Sequence, residues 1–91
     1  MRRAAKIDRN QPEIVEALRK VGALVYPMHT VGGGLPDLLV GFRGRLMLLE
    51  VKDGLAPLSQ QALTPDQVKF HAVWPVAVVR DVDEALAAIG L

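Results

Sequence analysis

The chain lacks cysteine, and aromatic residues make up 4% of its 91 residues. Without cysteine, a disulfide framework and a thiolate zinc site are both excluded. No apolar run approaches the ~20 residues that are needed to cross a bilayer, and the basic amino-terminal residues lead into polar sequence rather than a signal-peptide core. We therefore expect a cytoplasmic protein that does not enter the membrane.

A nucleotide-binding loop is also lacking. The glycine run at 32–34 lets the backbone approach another chain or a phosphate closely. No Lys-Ser or Lys-Thr pair follows this run, which excludes a P-loop. We also expect no small-molecule cofactor.

An excess of one sign of charge is lacking as well, since the formal net charge is +1. Overall electrostatics therefore do not mark the chain as a nucleic-acid-binding protein. Basic residues nevertheless crowd the amino terminus, and we interpret residues 1–10 as a flexible basic arm and residues 11–91 as one domain with a single core. Hydrophobic residues make up 51% of the chain, which is high for a monomer of this size and favours a homodimer.

A β-hairpin is predicted for the apolar segments at 38–42 and 46–51, because Arg43-Gly44 between them is a two-residue loop with glycine in the second position. Both faces of these strands are apolar, which is typical of a sheet that helices cover on both sides. Helical and strand patterns around the hairpin give the order α-β-β-β-α-β with a C-terminal helix, which predicts an α/β fold.

The predicted register brings two carboxylates together. Equal steps outward from the turn place Asp37 directly opposite Glu50, with their Cβ atoms about 4.5–5.5 Å apart. Like charges at that separation are destabilising, and a divalent cation between them would relieve the repulsion. Because side chains alternate along a strand, Lys52 emerges beside Glu50, and Val51 leaves its backbone carbonyl as a further oxygen donor.

Two acids, a carbonyl and an ammonium in one place suit the hydrolysis of a phosphodiester bond. Hard oxygen ligands bind Mg²⁺, and the ion acidifies a water molecule and neutralises charge on the phosphate. The Lys52 ammonium would steady the attacking water or the developing oxyanion. The alternative is structural: Asp37 opens a strand, while Glu50 and Lys52 pair with each other at a solvated strand end.

The motifs in this stretch resemble those of a known nuclease superfamily. Pro36-Asp37 followed, after the hairpin, by Glu50-Val51-Lys52 is similar to the PD-(D/E)XK signature of restriction-endonuclease-like nucleases. The approach Gly-Gly-Gly-Leu-Pro-Asp, the run Leu-Glu-Val-Lys-Asp and the later Leu-Thr-Pro-Asp-Gln resemble the small stand-alone VRR-NUC domains, many of them from phage or prophage. The likeness extends from residue 11 to residue 91.

The resemblance implies a restriction-endonuclease-like core with a mixed sheet flanked by helices, in an endonuclease that cuts DNA inside a bacterial or phage-infected cell. In that scheme Asp37, Glu50 and the Val51 carbonyl hold Mg²⁺ or Mn²⁺. Lys52 positions the attacking water. A non-catalytic DNA-binding module or subunit that retains the nuclease fold is the alternative.

Two glutamines are candidates for the surroundings of this site. Thr64 and Gln67 form a capping-box pattern, and by the resemblance a glutamine at this place also faces the active site, beside the attacking water or the nucleic acid. Asn10 and Glu13 form a second capping-box pattern at the first helix. Resembling nucleases usually place an acid on that helix near the metal, but the helical wheel turns Glu13 away and centres Gln11 on the apolar stripe. We therefore expect Gln11 to support the metal site without being a direct ligand.

Candidate contacts to DNA are four basic or titratable side chains: Arg43, Arg45, Lys69 and His71. Each phosphate contact would add salt dependence to binding, while the alternative for each is an ordinary solvated side chain. Because the domain is small, it has little surface for reading a base sequence. We therefore expect structure-selective cutting of branched DNA. A two-fold dimer would present two sites to a four-way junction, resembling the Holliday junction resolvases of the same superfamily.

Overall fold

The computed structural model describes residues 8–91, so most of the predicted arm at residues 1–10 lies outside the described residues. The elements in chain order are α1 (Gln11–Lys20), β1 (Leu24–Pro27), β2 (Leu38–Phe42), β3 (Arg45–Val51), α2 (Leu58–Gln61), α3 (Pro65–Val73), β4 (Ala77–Val79) and α4 (Val82–Ala88). This is the predicted α/β order with one addition, the short α2 between β3 and α3. No helix within residues 8–91 is long and apolar enough to span a membrane.

The hairpin of β2 and β3 has the predicted register, with Phe42 opposite Arg45. Both turn residues have positive φ, 51° at Arg43 and 77° at Gly44. This conformation matches the twist of the flanking strands, and glycine adopts it without steric cost. The strands β1 and β2 are also antiparallel, whereas β3 and β4 are parallel, so the sheet is mixed, with the order β1-β2-β3-β4.

One face of the sheet carries the hydrophobic core. Helices α1 and α4 pack against this face and supply the other side of the core. Fully buried members of this core include Ile14, Leu18, Leu38, Val40, Leu49, Val51 and Ala85. Because alternate strand residues share a face, Leu49 and Val51 lie in the core while Glu50 between them points to the opposite face.

Within residues 8–91, the opposite face is covered only in part, so the prediction of helices over both faces is wrong near the hairpin turn. Leu24, Gly41 and Leu46 lie in register across three strands, and the two leucines are 63% and 73% exposed. A strand that is apolar on both sides needs cover on both sides, but its sequence does not distinguish a helix of the same chain from another molecule.

The last residues before α1 fasten it to the sheet instead of capping it. The predicted capping box is absent, because the side chain of Asn10 makes no cap hydrogen bond. The buried Asn10 amide donates instead to the backbone carbonyls of Lys52 (3.1 Å) and Arg80 (2.8 Å). Beside it, the Arg9 guanidinium donates to both carboxylate oxygens of Asp53, at 3.0 and 3.1 Å.

Candidate active site

Asp37 and Glu50 meet at the end of the hairpin that is farthest from its turn. Leu38 pairs with Leu49, so the next positions outward are Asp37 and Glu50. The strand β2 begins at Leu38, and the Asp37 side chain continues the pairing, because its Oδ2 accepts a 2.8 Å hydrogen bond from the Val51 N–H. The Asp37 carboxylate is thereby held against β3.

The environment of Glu50 disfavours its negative charge. Glu50 is 2% exposed, and its Oε1 is buried without a hydrogen-bond partner in the part of the chain that the structure describes. Burial first, and then the neighbouring Asp37 carboxylate, raise the pKa of Glu50 to about 8, although Lys52 acts in the opposite direction. Without a cation the Glu50 carboxyl group is therefore mostly protonated at neutral pH.

Gln67 joins Lys52 to Glu50 through a single carboxamide. Its Oε1 accepts from Lys52 Nζ at 3.1 Å, and its Nε2 donates to Glu50 Oε2 at 3.0 Å. The Lys52 Nζ lies 3.6 Å from the same Glu50 oxygen. The Gln67 Oε1 also accepts from the Thr64 N–H at 2.9 Å, which completes the predicted capping box of α3. The helix cap and the contact with the acids are thus made by the same side chain.

A cleft of about 250 Å³ contains all four of these functional side chains. It is lined by Asp37, Glu50, Lys52 and Gln67 together with Asp8, Gln60 and Thr64. Sequence reasoning did not find Asp8, because it precedes α1 in a stretch without periodicity. A local contact places it near the helix, since the Gln11 N–H donates to the Asp8 carbonyl at 3.0 Å. The cleft therefore has a third acidic residue on its wall.

The donor set fits a hard divalent cation. Mg²⁺ prefers oxygen ligands, keeps several waters and is commonly held by one or two carboxylates together with substrate oxygens. Asp37 and Glu50 supply two carboxylates, and a buried carboxylate oxygen without a partner, as at Glu50, indicates a missing interaction. Among residues 8–91, no three acidic or histidine side chains form a metal-binding group, so these two carboxylates would be the main protein ligands.

Gln11 is buried at the first position of α1, with 3% of its surface exposed. Its Oε1 has no hydrogen-bond partner among the described residues. Gln11 does not line the cleft itself, although Asp8 beside it does. Its predicted support of the metal site stays a prediction.

The four candidate DNA contacts lie in two places. Arg43 and Arg45 are exposed at the hairpin turn, about 17 Å from Glu50 along β3, and the Arg43 guanidinium lies 4.8 Å from the centre of the Phe42 ring. On α3, Lys69 is exposed, whereas His71 is half-buried. Burial and then the Lys52 charge lower the pKa of His71, so the imidazole is neutral at pH 7.

The structure thus brings Asp37, Glu50, Lys52 and Gln67 together in one cleft and leaves Arg43 and Arg45 at the other end of the hairpin. Comparison of the chain with protein-family models, with curated proteins and with solved structures gives no match. Its function is therefore argued from the chemistry of these side chains.

Proposed function

We propose that the protein is a Mg²⁺- or Mn²⁺-dependent endonuclease that hydrolyses phosphodiester bonds in DNA. The observation that carries the proposal is the meeting of two carboxylates with Lys52 and Gln67 in one cleft, where Glu50 is buried with an unpartnered oxygen. The mixed α/β sheet is compatible with the restriction-endonuclease-like core of the VRR-NUC domains that the sequence resembles.

Each side chain has a role in this proposal. Asp37, Glu50 and the Val51 carbonyl hold the cation, which when bound supplies charge neutralisation at the phosphate and an acidified water. Lys52 donates one hydrogen bond to Gln67 Oε1 and has two further N–H donors for the attacking water or a phosphate oxygen. Gln67 holds the Lys52 ammonium and the Glu50 carboxyl group in fixed orientation through these two hydrogen bonds.

Branched DNA is the proposed substrate, and a homodimer is the proposed assembly. The exposed apolar sheet face near the hairpin turn, formed by Leu24, Tyr26 and Leu46, supports a subunit contact. A hollow of about 390 Å³ adjoins this face and is lined mainly by apolar residues, including Leu46, Leu48 and Pro75. Contact through one self-complementary patch would give two-fold symmetry, and two clefts could then engage two strands of one junction.

Cleavage of a labelled four-way junction in Mn²⁺ tests the proposal. We expect cuts by the wild type and loss of cutting in Asp37→Asn, Glu50→Gln and Lys52→Met, which nearly preserve side-chain volume. Glu13→Gln is the matched control, since Glu13 is an exposed acid on α1, and it should cut like the wild type. This series also separates the protein's own activity from a contaminating nuclease.

The same preparations distinguish the alternatives. Binding of the junction without cutting, at every Mn²⁺ concentration, would favour a non-catalytic DNA-binding module. Calorimetry should show Mn²⁺ uptake by the wild type and weaker uptake by Asp37→Asn. Absence of uptake by the wild type would instead favour a structural role in which Glu50 pairs with Lys52.

A further inference from the structure

The loop between β1 and β2 touches the amino-terminal turn of α3 at Gly34. A Cβ atom built on Gly34 would fall closer than 3.0 Å to the carbonyl oxygen, the carbonyl carbon and the Cβ of Asp66. Two of these atoms belong to the backbone, so no side-chain rotation could relieve the overlap. Gly34 is thus the point at which the two backbones meet.

The loop side of this contact is firmly held. Its ends are joined by a hydrogen bond from the Met28 N–H to the Asp37 carbonyl (2.6 Å), and Pro36, next to Asp37, is fully buried. The helix side is held less firmly, because α3 contains no buried residue. Since α3 has little core packing to fix it, an overlap at Gly34 would displace the helix rather than the loop.

Gln67 directly follows Asp66, so a displacement of the first turn of α3 moves the Gln67 carboxamide. Its hydrogen bonds to Lys52 and Glu50 are 3.1 and 3.0 Å long. A shift of about 1 Å would stretch both beyond hydrogen-bonding distance. The close contact between Gly34 and Asp66 therefore determines whether the Gln67 carboxamide reaches Glu50 and Lys52.

We infer that Gly34 is a positioning residue that sets the Gln67 carboxamide between Lys52 and Glu50. The same loop delivers Asp37 three positions later, so one segment aligns a carboxylate from the hairpin with an amide from α3. The catalytic consequence of this inference rests on the proposed nuclease function, whereas the placement of Gln67 does not.

Gly33 provides a matched control. Gly33 and Gly34 both have positive φ, 70° and 84°, so alanine strains the backbone at either position. A Cβ on Gly33 would have nothing within 4 Å. Gly33→Ala therefore reproduces the conformational cost of Gly34→Ala without the overlap on Asp66.

The test compares the two variants by NMR and by junction cleavage in Mn²⁺. In Gly34→Ala we expect a changed Gln67 side-chain amide resonance and a kcat lowered about 10–100-fold with KM retained. In Gly33→Ala we expect the wild-type resonance and a kcat within about twofold. In a Gln67→Ala background, Gly34→Ala should cause no further loss, because residues that act through each other are not additive.

Equal effects of Gly33→Ala and Gly34→Ala, or additive losses in the Gln67→Ala background, would overturn the inference. If Gly34→Ala does not fold, the wild type still tests the inference. A nuclear Overhauser contact between the Gly34 α-protons and the Asp66 side chain is expected, and its absence would contradict the close contact between Gly34 and α3. If even the wild type does not cut DNA, the proposed function fails while the Gln67 resonance still decides the role of Gly34.

Discussion

The side-chain amide of Gln67 donates to Glu50 Oε2 over 3.0 Å while the other end of the same carboxamide accepts from Lys52. The two ends of the group are not interchangeable, because a nitrogen faces the acid and an oxygen faces the ammonium. A carboxamide supplies a donor and an acceptor from a single planar unit, whereas an ionised carboxylate supplies acceptors only. The position therefore favours glutamine over glutamate.

Replacing Gln67 separates its two roles. Gln67→Glu keeps an oxygen for the Thr64 N–H and for Lys52 but places a second oxygen against Glu50, so we expect an intact helix cap and a loss of cleavage of about 10–100-fold. Gln67→Met removes both roles, and we expect a similar loss of cleavage together with a stability loss of about 1 kcal/mol. Urea unfolding and junction cleavage measure the two effects. Wild-type cleavage by Gln67→Glu would show that the donor to Glu50 is not needed.

The buried Glu50 carboxyl predicts a pH-dependent stability in the absence of divalent cations. Its pKa of about 8 lies above the usual 4.5, so between these values the folded protein binds a proton that the unfolded chain does not. Stability therefore falls as pH rises through 8. Between pH 7 and 9 we expect the wild type to lose about 1 kcal/mol more than Glu50→Gln, which cannot ionise.

Urea unfolding in EDTA measures this difference. The window above pH 7 avoids His71, whose lowered pKa makes the opposite contribution, lost as pH falls below 6.5. A parallel course of the wild type and Glu50→Gln between pH 7 and 9 would contradict the raised pKa of Glu50.

Asn10 should contribute to stability through the sheet rather than through its helix. Asn10→Ala removes hydrogen bonds to the carbonyls of Lys52 and Arg80 and leaves both without that donor, so we expect a loss of about 1–3 kcal/mol. Glu13→Ala tests the capping box that the sequence predicts and the structure lacks, and should change stability by less than about 0.5 kcal/mol. Thermal unfolding of both variants is the measurement. A larger loss of stability in Glu13→Ala would indicate that the capping box forms after all.

The exposed sheet face predicts how the proposed dimer is broken. Leu46 is 73% exposed on this face and Leu55 is 85% exposed in the segment after Lys52. Leu46→Glu should convert a dimer to a monomer, whereas Leu55→Glu should leave it intact, although both replace an exposed leucine by an acid. Light scattering during gel filtration gives the masses. A monomeric wild type, or equal effects of the two variants, would count against this interface.

The sequence predicts those parts of the fold that local rules determine. Arg43-Gly44 determines the turn, the turn determines the register, and the register places Asp37 beside Glu50. The cap of α3 by Thr64 and Gln67 follows from the same kind of local pattern.

Long-range contacts were beyond these rules. The Asn10 side chain bonds to residues 42 and 70 positions away, so its capping pattern was misleading. Asp8 reaches the cleft from a stretch without periodicity, and only the packed structure places it there. Alternation along β3 places Leu46 on the same face as Glu50, but it does not indicate that no helix of residues 8–91 covers this end of the face.

The Asn10 amide donates to the carbonyl of Arg80, 70 positions later in the chain, and also to the carbonyl of Lys52, which carries the site ammonium. During translation, this arrangement cannot close until Arg80 has left the ribosome exit tunnel. A nascent chain that already contains Asp37, Glu50 and Lys52 would therefore lack the hydrogen bond from Asn10 to the Arg80 carbonyl. The full set of contacts around the cleft can therefore form only after residue 80 has been synthesised.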